Sequence, residues 1–167
     1  MSQPTLTGDD AIAWVETNSA KWRALIAEHP EILAMPCDIM GVNTAGGLLQ
    51  HIVAVELRFA ERLAGLPATD YAAIPCDSGE AIYATHDRAF ALYREQLANE
   101  VDWDERIEYV TRSMGPASSS RKTIFFHALL HSVRHYAQLA TLVRHNGVPA
   151  AWFMDYLVMD MQRVAVP

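Results

Sequence analysis

The sequence lacks the features of nucleic-acid-binding, membrane-bound and secreted proteins. Its 167 residues include 13 Lys or Arg against 20 Asp or Glu, which gives a formal net charge of −7. A chain this acidic is not expected to bind a nucleic-acid backbone, nor a membrane surface, because no basic cluster accompanies an apolar face. No stretch approaches the ~18 apolar residues of a membrane span, and no signal peptide is visible at the first residues. We therefore expect a cytoplasmic protein.

Cysteine is scarce as well. Only Cys37 and Cys76 are present, and they are not arranged as CxxC. This pattern favours neither a redox motif nor a cysteine-rich zinc site. We expect both residues to be reduced thiols in loops.

Three familiar catalytic motifs are also missing. A zincin needs HExxH, with the Glu as general base, and a ferritin-like di-iron site needs Glu-x-x-His on two helices. Neither pattern occurs in this sequence. A Ser-His-Asp hydrolase is disfavoured because there is no GxSxG-type turn for the nucleophile.

Amphipathic helical segments dominate what is present. Apolar residues recur every three or four positions over about residues 9–29, 44–64, 78–99 and 120–146, between loops that contain Pro or Gly. The length fits one domain over residues 1–167, and four such helices predict an all-α four-helix bundle. The loops allow either an up-down-up-down or a crossover topology. On the second helix, we interpret Glu56 and Glu61 as part of the side that faces water.

Two shorter segments flank the fourth helix. Alternation of Ile107, Tyr109 and Thr111 with Glu108, Val110 and Arg112 indicates a short strand. A small β-hairpin is therefore predicted within residues 100–119, with residues 114–119 as its turn-like part. After Pro149, the apolar residues from Trp152 to Met161 predict a short C-terminal helix. This tail covers one end of the domain or forms an oligomer contact, and we expect a homodimer.

The fourth helix carries three histidines at four-residue spacing: His127, His131 and His135. Residues four apart lie ~40° apart around a helix and ~6 Å apart along it. His131 and His135 can therefore reach one metal ion, whereas His127 and His135 are ~12 Å apart along the axis. One adjacent pair can chelate, and a third ligand must come from elsewhere.

His51 is the candidate third ligand. It interrupts an apolar stretch of the second helix, and helical bundles build metal sites from facing helices. Three neutral imidazoles suit Zn²⁺, Ni²⁺, Co²⁺, Cu²⁺ or Fe²⁺ better than Mg²⁺ or Ca²⁺. Three protein ligands leave a position for water or substrate, as in catalytic zinc sites. The alternative is that these are core or surface histidines with ordinary hydrogen bonds, because HxxxH recurs by chance on many helices.

Two blocks of sequence resemble one known family. The run HALLHSVRHYAQLATLVRHNG, residues 127–147, and the run LLQHIVAVELRF, residues 48–59, resemble the fourth and second helices of the DinB/YfiT-like superfamily. The resemblance implies a metal triad of His51, His131 and His135, with Gln138 matching the family Gln. The Arg-Gly that commonly precedes that Gln is Tyr136-Ala137 here.

The resemblance implies a function less sharply. Some members look like transferases or isomerases that use a low-molecular-weight thiol, and others look like metal-dependent hydrolases. We therefore expect a metal-dependent enzyme acting on a small-molecule substrate, with Zn or Ni as the first choices and Fe, Co, Cu or Mn as others. The alternative is a non-catalytic, metal-stabilised bundle that serves as a stress-response or binding module. Possible site neighbours, assigned no catalytic role and interpreted as packing or surface residues, are Glu56, Tyr83, His86 and Tyr136.

Overall fold

A computed structural model describes residues 5–111 and 115–162. Its long helices are α1 (Gly8–Glu28), α2 (Ala45–Leu63), α3 (Gly79–Ala98) and α4 (Arg121–His145). Strands β1 (Arg106–Thr111) and β2 (Gly115–Ser120) pair antiparallel just before α4. The predicted all-α four-helix bundle with a hairpin before the fourth helix is confirmed, although residues 115–120 form a strand rather than a turn. Residue 114 lies outside the described residues.

The helices start where short polar side chains cap them. The Thr7 hydroxyl accepts a hydrogen bond from the Asp10 backbone N–H at 3.1 Å, and the Asp10 carboxylate accepts one from the Thr7 N–H at 3.0 Å. This reciprocal capping box satisfies two N–H groups that a helix start leaves unpaired. Thr44, Ser78 and Ser120 cap the other three helices in the same position.

The bundle has a crossover topology. Helix α2 packs against α3 and α4, and α1 packs against the same two helices from the opposite side. The carbonyl at the end of α2, on Leu63, accepts a hydrogen bond at 2.7 Å from Arg121 at the start of α4, so these helices are antiparallel. Gln50, early in α2, donates to the carbonyl of Ile74 just before α3. Helices α2 and α3 are therefore parallel, and residues 64–78 must return along the bundle.

Glu61 fixes that returning segment. Its side chain is 1% exposed and accepts hydrogen bonds from the Thr69 N–H at 2.7 Å, the Thr69 hydroxyl at 2.6 Å and the Arg88 guanidinium at 2.6 Å. The prediction that Glu61 faces water is wrong, because the connection and α3 cover this side of α2. A buried carboxylate is tolerated only when such partners replace its water.

The C-terminal segment is less helical than predicted. The described part contains a single 3₁₀ turn, Tyr156–Met159, in place of a helix from Trp152 to Met161. Contacts with α1 hold the segment instead, since the Trp14 indole N–H donates to the Met154 carbonyl at 2.8 Å. Phe153 and Leu157 are each 74% exposed. In the described part of the chain, no helix has the length and apolar character needed to cross a membrane.

Candidate metal centre

The three histidines singled out by sequence lie together. His131 and His135, one turn apart on α4, face His51 on the antiparallel helix α2. The Nε2 atom of His131 is 3.2 Å from Nε2 of His51 and 3.1 Å from Nε2 of His135. The potential ligand nitrogens all lie within 4.8 Å of one another, so this cluster is close enough to bind one metal ion.

The spacing of the nitrogens fits a tetrahedral ion. Bonds of ~2.0–2.1 Å at tetrahedral angles place neighbouring ligand nitrogens ~3.3 Å apart, close to the two distances seen here. A hydrogen bond between two imidazoles would explain one such distance. His131 Nε2, however, faces two other imidazole nitrogens at once, and its ring nitrogen can carry at most one proton.

Gln138 sets the orientation of the His135 ring. The Nδ1–H of His135 donates to the Gln138 side-chain oxygen at 2.6 Å, and an Arg134 Nη2 donates to His135 Nε2 at 2.9 Å. Both contacts require the tautomer with its proton on Nδ1 and its lone pair on Nε2. The lone pair therefore points into the cluster. Gln138 is placed like the hydrogen-bond partners that orient metal-binding histidines in other proteins.

The surroundings of His131 and His135 keep both imidazole rings neutral. Burial lowers the pKa of His131 to about 2, and charge repulsion between His131 and its neighbours, His135 above all, adds to the effect. Burial also lowers the pKa of His135. Because a lowered histidine pKa favours the uncharged ring, both rings are neutral at pH 7, which is the form that binds a metal.

His127 lies outside the cluster. Its ring packs edge-on against Phe59, with ring centroids 5.3 Å apart, one turn before His131 on α4. It is absent from the group of nitrogens that converge within 4.8 Å. The structure thus places His127 where the axial distance along α4 predicts.

The buried polar network beside the cluster was not predicted. Glu56 is fully buried and accepts hydrogen bonds from the Ser132 hydroxyl at 2.7 Å and from His86 Nδ1 at 2.8 Å. His86 Nε2 lies 2.9 Å from the Ser19 hydroxyl. The prediction that Glu56 faces water is wrong, because its neighbours four residues away on α2, Ile52 and Ala60, are themselves buried. That spacing is the signal in the sequence that could have revealed it.

The network resembles a hydrolytic triad but cannot act as one. Ser19, His86 and Glu56 have the order and spacing of a nucleophile, base and carboxylate. All three are buried, at 4%, 3% and 0% exposure. Since a substrate cannot reach the serine, we interpret the network as structural.

The two tyrosines considered as site neighbours belong to the core. Tyr83 and Tyr136 are fully buried, and burial raises the pKa of both phenols above the ordinary value.

Cys37 and Cys76 are free cysteines, as predicted. Cys76 borders an open groove of about 1060 Å³ between α1 and the start of α3, whose lining includes none of the three clustered histidines.

The fold and the converging nitrogens define a helical-bundle protein with a possible histidine metal site. A model of the DinB family matches residues 1–164, nearly the whole chain. The chain therefore belongs to the DinB family, and the resemblance seen in its second and fourth helices is confirmed. A comparison with curated proteins finds no match.

Removing any of the clustered imidazoles should remove the metal. We expect protein purified without a histidine tag to hold about one divalent ion per chain, and His51→Ala, His131→Ala and His135→Ala each to hold much less than one, as measured by elemental analysis. His145→Ala, at the exposed end of α4, is the matched control and should retain the ion. Full stoichiometry in both His131→Ala and His135→Ala would contradict the site.

Gln138→Ala should weaken the site without abolishing it. Loss of the oxygen that orients His135 is expected to lower zinc affinity by about tenfold, at the lower end for such partners. A competition titration with a zinc-binding dye measures this, and Thr141→Ala, on the exposed side of the same helix, should leave affinity unchanged. Equal affinities for Gln138→Ala and the wild type would show that the hydrogen bond has no role in metal binding.

Proposed function

We propose that this protein is a metal-dependent enzyme that acts on a small electrophile with a low-molecular-weight thiol, or on an activated ester with water. His51, His131 and His135 would hold one divalent ion, with zinc or nickel as the first choices. The proposal includes a cytoplasmic location, in keeping with two free cysteines. Its main support is the convergence of three imidazole nitrogens, with no fourth protein ligand beside them among the described residues.

The ligand set supports a catalytic rather than a structural centre. Among the described residues, no carboxylate, cysteine or further histidine joins the cluster of three. Both oxygens of Glu56 already accept hydrogen bonds from Ser132 and His86. A site with three protein ligands keeps a position for a substrate or water, whereas structural zinc sites use four.

The chemistry would come from the ion, and the protein would supply its environment. A divalent ion lowers the pKa of a bound water or thiol, which provides a nucleophile at neutral pH. An imidazole binds a metal in its neutral form, so three histidine ligands would leave the positive charge of the ion undiminished. Gln138 orients His135, and the packing of α2 on α4 holds His51 opposite the other two rings. His51 is only half-buried, which leaves one side of the cluster accessible.

A non-catalytic metal-stabilised bundle is the second candidate. It is favoured by the position of the groove of about 1060 Å³. A small molecule bound in that groove would lie among residues that do not include the three histidines, so the ion would take no part in its chemistry. On this alternative, the ion would raise the unfolding temperature by binding only the folded state, and the loaded protein would have no turnover.

Activity assays on matched variants separate these functions. Zinc- or nickel-loaded wild type is expected to turn over an activated aryl halide with glutathione, or p-nitrophenyl acetate with water. Turnover should disappear in His51→Ala, with the fold retained by circular dichroism, and persist in His145→Ala. Equal turnover in His51→Ala would contradict the enzymatic proposal, and metal-dependent stabilisation without turnover would favour the second candidate.

We also propose a homodimer formed through the C-terminal segment. The support is the exposure of Phe153, Leu157 and Met161, at 74%, 74% and 49%, on a segment that α1 already anchors. Sedimentation at micromolar concentration should give twice the chain mass for the wild type, and Leu157→Glu should shift it to monomer. Leu130→Glu, at an exposed leucine on α4, is the matched control, and a monomeric wild type would end the proposal.

A further inference from the structure

Arg134 is a charged side chain in direct contact with the histidine cluster. It lies on α4 beside His135, and its Nη2 is 2.9 Å from the Nε2 atom that faces the other two histidines. Its positive charge also contributes to lowering the pKa of His127, His131 and His135. Arg134 is exposed, so its guanidinium can reach both the cluster and a molecule arriving from solvent.

The charge of Arg134 has no carboxylate partner in the described ranges. Four other arginines pair with carboxylates: Arg23 with Asp87, Arg88 with Glu61, Arg94 with Glu16, and Arg121 with Glu105. Arg134 differs from the remaining described arginines in that its guanidinium contacts the histidine cluster. The hydrogen bond of Arg134 goes instead to a neutral imidazole, an unusual partner for a group whose geometry matches a carboxylate. A carboxylate is therefore the complement that its present surroundings do not provide.

A metal ion in the cluster would add further positive charge beside Arg134. An ion held by the cluster would take the Nε2 lone pair of His135 that Arg134 now contacts, which would release the guanidinium donors beside it. Three neutral imidazoles offer no negative charge to offset the ion or the arginine. The molecule that completes such a site is expected to carry negative charge, and an arginine next to it can bind that charge through two parallel hydrogen bonds.

We propose that Arg134 binds the carboxylate of the thiol or substrate that occupies this site, so that the site selects acids over their neutral analogues. This inference rests on the proposed function, and it names the class of small molecule: a compound with a carboxylate a few bonds from its metal-binding atom. On thiol binding, the thiol proton would pass to solvent, an ion held by His51, His131 and His135 would stabilise the thiolate, and Arg134 would bind the carboxylate. Arg134 is thus a specificity-determining residue.

A pair of isosteric thiols tests the inference in the cobalt-loaded protein. We would titrate 3-mercaptopropionate and the neutral 3-mercaptopropanamide and follow the cobalt absorption bands, with retained cobalt measured after gel filtration. Arg134→Gln is expected to weaken binding of the acid by about tenfold, at the lower end for a charge-assisted contact, and to change binding of the amide by less than twofold. Arg144→Gln removes the same charge ten residues further along α4 and should leave the affinities for both thiols unchanged.

The outcomes distinguish this inference from the metal centre itself. If Arg134→Gln loses affinity equally for acid and amide, or loses none for the acid, the proposed role of Arg134 is overturned while the cobalt site stands. If Arg134→Gln does not retain cobalt, Arg134→Lys keeps the charge without the planar fork and should bind the acid with intermediate affinity. Loss of cobalt in that variant too would show that Arg134 only supports the site. A wild type that takes up no cobalt would refute the metal centre, and this inference with it.

Discussion

The buried carboxylate of Glu56 sets how the helices pack around the candidate site. Removing a carboxylate from water is costly unless hydrogen bonds replace its hydration. Glu56 on α2 obtains them from Ser132 on α4 and His86 on α3, and His86 continues to Ser19 on α1. One network therefore joins all four helices. A shift of α2 along either neighbour would leave a buried charge without partners, which makes the observed register strongly preferred.

The same register places the three candidate ligands. His51 precedes Glu56 by five residues on α2, and Ser132 directly follows His131 on α4. The contact between Glu56 and Ser132 thus lies beside the contact between His51 and His131, at 2.7 and 3.2 Å. A preformed arrangement of ligands reduces the ordering that binding must otherwise impose. The structural network and the candidate centre are therefore two parts of one helix–helix contact.

Much of the architecture could be predicted from the sequence, because it depends on local signals. Apolar periodicity and the loops that contain Pro or Gly predict the helices, and the histidine spacing on α4 together with His51 predicts the cluster. What could not be predicted depends on contacts between distant elements. Residue type alone predicts Glu56 and Glu61 on the surface, whereas a loop and two helices cover them. The path of residues 64–78 needed the contact of Gln50 with Ile74, and the C-terminal segment is held by Trp14 rather than by helical hydrogen bonds of its own.

The sequence separation between the candidate ligands also bears on the order of events when the chain folds. His51 and His131 are separated by 80 residues, so closing that loop costs entropy before any contact across it contributes. The pair on α4 can form with one helix alone, but the third nitrogen arrives only after α2 has docked on α4. High-affinity capture of an ion would accordingly follow assembly of the bundle. The ion would bind last and stabilise a bundle that has already assembled. The rate of its uptake would report how fast the two distant helices pack together.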